Sequence, residues 1–397
     1  MTRLWNFITS LRLTVVCLAL GILLVFLGTI AQVNEGLWNA QARWFKSFFI
    51  WWGPQGADWK IPIMPGGYTI GCVLLANLVA AHIKRFQFTT KKLGIHLTHC
   101  GVVLLLVGQL VTDMFQVESV VMLREGETKN YSESQRLVEL VFAADAGEGQ
   151  EKVVAIPEAL VTRKGEQITP PELPFSIRVK EYGVNCEVRQ RAPVADTEPP
   201  LATQGAGPRI AVIRQPEVKS MDARNMPFAV VEILHAGNSL GTWLVTPQLN
   251  AQEIKIGDQT WRAALRFERY YKPFSVHLIK ATHEIYRGTD IPKNFQSRVR
   301  IENARTGENR EVDIYMNNPL RYEGLTFYQY QMGRDELDQN VDKGMFSSLQ
   351  VVRNPGWLTP YVGCVLVGIG LVYQFLLHLI GFVTKRRVAP VPAPVPA

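Results

Sequence analysis

Charge and cysteine are both scarce in this chain. Only 19% of its 397 residues are Asp, Glu, Lys or Arg, below the roughly 25% of ordinary soluble domains. The five cysteines form no CxxC pair and no CxxCH, so redox or metal-binding cysteine chemistry is excluded. Cys17, Cys72, Cys100 and Cys364 fall inside apolar runs and Cys186 stands alone. They read as small packing groups, with an intermolecular thiol left open for Cys186. There is no phosphate-binding glycine loop, no HExxH and no GxSxG, which removes the common nucleotide, zinc-protease and serine-hydrolase chemistries.

The net charge of +7 would suggest nucleic acid on a soluble domain. Here Arg3, Arg12, Lys84, Arg85, Lys91, Lys92, Lys385, Arg386 and Arg387 all flank apolar runs, and together they exceed that whole surplus. The basic balance is a topology signal, and nucleic-acid binding is rejected.

What the chain has in quantity is apolar length. Runs at 13–33, 67–83, 96–114 and 358–383 approach or exceed the roughly 20 residues that cross a bilayer as a helix. The first is longer than the 7–15 apolar residues usual in a signal peptide and reads as a span. The second and third form a helical hairpin around residues 84–92, a turn with four cations and no acid. Positive-inside bias puts that turn in the cytoplasm, and Lys385-Arg386-Arg387 after the fourth run puts both termini there too. The expected fold is thus a membrane α-helical protein of four spans, with one large domain outside the cytoplasm between spans three and four. The divisions are 1–115 (three spans), 116–355 (outer domain), 356–384 (fourth span) and 385–397 (a Pro-rich cytoplasmic tail).

Residues 37–59 hold most of the tryptophan, including Trp38, Trp44, Trp51, Trp52 and Trp59. Such rings favour the membrane interface, which suggests a short helix lying flat on the outer face. Contact with a flat aromatic ligand is the other possibility, and both stay open.

The outer domain reads as β structure almost throughout. Alternating or β-branched runs recur at 136–143, 176–189, 209–214, 228–234, 275–282, 298–302, 311–316, 326–331 and 346–352, between turns such as Gly257-Asp258. Many short strands with Gly and Pro turns point to an all-β sandwich or barrel-like domain. Residues 192–208, with four prolines, look like a mobile insertion or an internal boundary. His277 and His283 are six apart, so one continuous strand would present both on a face that could hold a metal.

The candidate site lies in the membrane. His82, His96 and His99 cluster around the basic turn, and at about 1.5 Å per residue His99 sits roughly 10 Å inside Lys92. An ionisable ring at that depth is costly and reads as a functional group facing other helices. His378 lies seven residues from Lys385, matching the spacing of His99 from Lys92, and two histidines at equal depth would suit a bis-imidazole haem site.

Several short pieces in order carry a family resemblance. They are Leu11-Arg12-Leu13-Thr14, Asn77-Leu78, His99-Cys100-Gly101 with Gly108, Asp290-Ile291-Pro292-Lys293-Asn294-Phe295-Gln296-Ser297, the run from Asn318-Pro319-Leu320 to Phe327-Tyr328-Gln329, and Asn354-Pro355-Gly356. With this layout the chain resembles the ResB-like proteins of System II cytochrome c biogenesis, which partner tryptophan-rich ResC or CcsA haem handlers. The resemblance implies a multi-pass protein of the bacterial inner membrane, with haem b in transit and apocytochrome c, haem and membrane lipid as its associates. It makes His99 the haem-iron ligand, with His82 the second candidate. The chain lacks the WWD-type segment and outer histidine pair of a fused synthetase, which implies a non-catalytic subunit with the partner supplying those parts. Two other classes remain: a cytochrome b type electron-transfer protein with haem on His82, His96, His99 and His378, and a haem-free anchor for a protein-binding β domain.

Overall fold

The computed structural model describes residues 2–54, 59–147, 149–192, 196–218, 224–288, 292–333 and 345–388. The Asp290-Ile291 start of one quoted motif and the tail beyond 388 lie outside them. The chain divides into a helical unit, built chiefly from Met1–Gln116 and Asn354–Ala397, and a β unit, Val117–Val218 with Asp222–Arg353. Among the described residues four helices are long and apolar enough to cross a membrane, three before the β unit and one after it.

The helical unit begins with α1 (Thr2–Ile8) and α2 (Leu11–Ala40). Ser10 caps α2 by accepting a hydrogen bond from Leu13 N at 3.3 Å, satisfying one of the free donors of the first turn. At Gly36 the helix kinks with φ of 75°, a conformation that costs glycine little. The chain then turns back so that Phe45 and Trp44 pack against Gly28, where a Cβ would lie 2.7 Å from Phe45 Cζ. Glu35 and Arg43 form an ion pair across the bend.

Next come β1 (Phe49–Trp52) and β2 (Ile61–Pro65), paired antiparallel. This part of the aromatic segment is a hairpin, not the flat helix expected. Phe, Ile and Trp suit a pleated, half-exposed surface, and cross-strand pairing outweighs their weaker helical preference. Gly67–Lys84 (α3) and Leu93–Phe115 (α4) follow, joined by the basic turn.

The final helix, α6 (Thr359–Val388), packs antiparallel on α4 along glycines spaced by seven on both. A Cβ on Gly94 would lie 2.6 Å from Gly370 O, and one on Gly101 would lie 2.7 Å from Gly363 O. One on Gly356, just ahead of α6, would lie 3.0 Å from Gly108 O. Helices in lipid gain little from the hydrophobic effect, and small residues that bring backbones close supply the attraction instead.

The β unit comprises β3 (Val117–Arg124), β4 (Thr128–Gly147), β5 (Gln150–Pro157), β6 (Gln167–Ile168), β7 (Ser176–Gly183), β8 (Cys186–Gln190) and β9 (Ile210–Arg214). It continues with β10 (Phe228–His235), β11 (Asn238–Val245), β12 (Gln252–Ile256), β13 (Gln259–Ile285), β14 (Pro292–Asn303) and β15 (Glu308–Tyr315), and ends with β16 (Leu320–Tyr322), β17 (Leu325–Gly333) and β18 (Phe346–Arg353). A single helical turn, α5 (Glu158–Val161), interrupts it. All the strand pairs of its three sheets are antiparallel.

Two cores form about the long strands β4 and β13, and β13 contributes to both. Their adjoining halves, with β5 and β12, face the sheet β11-β10-β7-β6 and bury Phe142, Phe175, Ile233, Trp261 and Leu265. The far half of β13, with β3 and β14–β18, encloses Leu278, Val299, Ile301, Phe327 and Leu349. That sheet curls until Ser297 on β14 donates to Gln329 Oε1 at 2.6 Å and meets Ser347 Oγ at 2.7 Å. The architecture is the large antiparallel β domain expected between spans three and four.

Two local expectations change. The described part of 192–208 is tied down, since Ala202 is fully buried and Thr203 N donates to Thr242 O at 3.1 Å. Gln204 also bridges to Trp243. Proline and glycine here shape a fixed strap. Cys186 is buried, and burial pushes its thiol pKa up, which removes it as an exposed intermolecular thiol.

Candidate functional site

The histidine cluster forms because α3 ends and α4 begins on either side of one short turn. His82 lies in the last turn of α3, and His96 and His99 lie in the first two turns of α4. The rings meet edge to face, His82 to His96 at 4.9 Å between centroids and His82 to His99 at 5.4 Å. Phe86 closes the group, 4.9 Å from His96 and 5.8 Å from His82.

The four candidate histidines differ in how their nitrogens are used. His96 Nε2 donates to the Gln87 carbonyl at 2.9 Å, which ties the helix start to the turn, and its buried Nδ1 has no partner. His99 Nδ1 is likewise buried without a partner, and no hydrogen bond reaches either nitrogen of His82 or His99 among the described residues. His378 stands apart on an exposed stretch of α6, where the Gln374 amide donates to its Nε2 at 3.1 Å. No group of three or more His, Cys, Asp or Glu among the described residues is arranged to hold a bare metal ion. The ring cluster is therefore a packed imidazole group with nitrogens to spare.

A charged group at the other end of these helices was not singled out in the sequence. Asp113, in the last turn of α4, accepts from Tyr68 Oη at 2.6 Å and pairs with Lys46 Nζ at 2.6 Å. An acid at a helix C-terminus opposes the helix dipole, and the cation offsets that. Its signal was visible as the lone acid inside an apolar run.

In the β unit, His277 and His283 do not share a face. A register shift between Leu278 and Lys280 breaks the alternation of β13, so His283 follows the parity of buried Ala281 and His277 the opposite one. His277 Nδ1 lies 2.8 Å from Thr128 Oγ1, and His283 stacks on Phe295 at 4.5 Å. His235 Nδ1 donates to the Pro174 carbonyl at 2.9 Å.

A buried cation was also missed. Lys272, on β13, donates to Ser132 Oγ at 2.6 Å and to Tyr270 O at 3.0 Å, and burial pushes its pKa down to about 8.

Residues 239–342 match the ResB-like family, a stretch that opens at β11 and runs past β17. Over 77 residues the chain is 36% identical to a protein named "Cytochrome c biogenesis protein Ccs1" from Rhodomonas salina. That alignment covers 19% of this chain and spans about a sixth, 16%, of the relative. The matched stretch is about a quarter of the chain, and through it the β unit is similar to the ResB-like family.

Proposed function

We propose that this chain is a membrane subunit of a System II cytochrome c maturation complex, holding haem b in transit at the end of its spans that carries the basic turn. In this reading both termini are cytoplasmic, and the β unit faces outward from the bacterial inner membrane. There it presents apocytochrome c to a tryptophan-rich partner of the ResC or CcsA type. The curated relative carries a cytochrome c biogenesis name, which supports the pathway.

The observation that carries the haem part is His99. It is a half-buried ring inside a span, with a buried nitrogen lacking a partner and no hydrogen bond to the rest of the described molecule. An imidazole in an apolar helix needs a compensating interaction, and haem supplies an iron that takes an axial imidazole. The His82 and His99 rings pack edge to face with centroids 5.4 Å apart, so no flat ligand fits between them. His99 is thus proposed as the axial ligand, His82 as the ring that backs it, and the opposite axial position as the partner's. His96 serves to hold the turn through Gln87 O, and His378 uses its Nε2 on Gln374.

For the client, β5 offers an edge. It pairs with β4 on one side, and residues 150–153 are exposed. An unfolded apocytochrome segment would add there as a further strand. No catalytic residue is assigned to this chain.

The test is an absorption spectrum of the purified protein, alone and with its partner. His99→Ala is expected to lower co-purifying haem, and added imidazole to restore part of it by refilling the vacant position. Unchanged haem in both His99→Ala and His82→Ala would leave the haem-free anchor. Two stable, quinol-reducible haem b groups without any partner would favour the electron-transfer protein.

A further inference from the structure

Beside the aromatic hairpin opens a cavity of about 380 Å³ lined by Arg43, Ser47, Phe49, Trp51, Trp52 and Lys60. We propose that it is a binding site for the phosphate of an anionic phospholipid, whose acyl chains lie against the exposed side chains of the hairpin. The proposal stands whether or not the chain handles haem.

The hairpin's own chemistry fixes its depth in the membrane. As a two-stranded sheet it leaves N–H and C=O groups unpaired along both outer edges, and these need water, so the strands cannot lie in the hydrocarbon core. Its side chains demand the reverse, since Phe49, Trp51, Trp52, Ile61 and Ile63 are each about half exposed. The headgroup zone satisfies both at once. A cavity there is bathed in phosphates.

The charges point the same way. The hairpin precedes α3, so these cations sit at the end of that helix away from the basic turn. The positive-inside bias accounts for the turn but not for cations at the opposite end. Lys46 is answered by Asp113 and Arg43 by Glu35. Among the described residues no carboxylate pairs with Lys60, so its ammonium is available to a phosphate at the cavity. The Arg43 guanidinium, whose Nη2 reaches only 3.4 Å from Trp51 O, has further N–H donors to turn toward that phosphate.

The full chain would be purified in detergent, loaded with dioleoyl phosphatidylglycerol or dioleoyl phosphatidylcholine, and examined by native mass spectrometry. One phosphatidylglycerol is expected to stay bound in preference to phosphatidylcholine. Lys60→Gln should weaken its retention about five-fold, the value of one surface cation near anionic lipid, with the far-ultraviolet circular dichroism unchanged as the check on folding. Lys91→Gln, in the basic turn, should leave that lipid in place. Equal retention of the two lipids would overturn the proposal. So would an unaltered affinity in Lys60→Gln, loss of the lipid in Lys91→Gln, or Lys60-dependent binding of protoporphyrin in place of the lipid.

Discussion

A buried amide in an apolar span must find a partner for each donor it carries, and Asn77 does so. Its Nδ2 donates to Ile8 O at 2.6 Å and to Ser10 O at 3.1 Å, and its Oδ1 accepts from Thr14 Oγ1 at 2.6 Å. Those are the carbonyls exposed where α1 breaks into α2. Asn77→Leu is expected to cost about 1–3 kcal/mol by stranding them, seen as a lower unfolding temperature and earlier proteolysis within residues 2–10. Thr14 and Asn77 both stood in quoted motifs, yet nothing local reveals that two residues 63 positions apart share one bond. Lys272 makes a prediction about pH. Its folded pKa of about 8 lies below the unfolded value near 10.5, so between these the unfolded state binds more protons and stability rises with pH. Below pH 8 the burial penalty is present in full. Lys272→Met should abolish the rise and add on the order of 1–3 kcal/mol at pH 7, measured by denaturant unfolding at several pH values.

At the scale of elements, the α4 and α6 pair depends on backbone approach. A side chain at Gly101 would meet both Gly363 O and Val367 Cγ2, each at 2.7 Å from the first added carbon. Gly101→Leu is expected to force the helices apart at a cost of about 1–3 kcal/mol or more. The loss should appear as a lower unfolding temperature of the detergent-solubilised protein. The spans were legible because apolar length alone identifies them. Strands were legible where apolar and β-branched residues run together between turn signals, as in 228–234 within β10 and 346–352 within β18. Short β12 and the first half of β13 were missed although both alternate, with Ile254 and Ile256, then Trp261, Ala263, Leu265 and Phe267, buried at every second position. The hairpin at Phe49–Trp52 misled for another reason: aromatic rings report membrane depth well and backbone conformation poorly. His82, His96 and His99 were correctly gathered by their closeness to one turn, whereas which nitrogens are occupied depends on Gln87 O and ring packing, which the sequence does not display.

For the whole molecule, the proposed orientation has a direct check. Glu253, exposed on β12, and Phe88, 79% exposed in the basic turn, would each be changed to cysteine in separate variants. A membrane-impermeant maleimide applied to intact cells should modify Glu253→Cys freely and Phe88→Cys only after permeabilisation. The reverse pattern would invert the topology. Cys17 and Cys186 are buried, and Cys72, Cys100 and Cys364, exposed on the spans, would first be changed to serine.

The seven-residue glycine register also dictates an order of assembly. The row on α4 leaves the ribosome roughly 250 to 280 residues before its complement at the start of α6, a delay on the order of ten to fifty seconds at ordinary translation rates. Throughout that interval a groove of bare backbone faces lipid with its cognate surface not yet made. The nascent protein therefore remains an open clasp until its final helix enters the bilayer, and a chain cut short after β18 would be released unlatched.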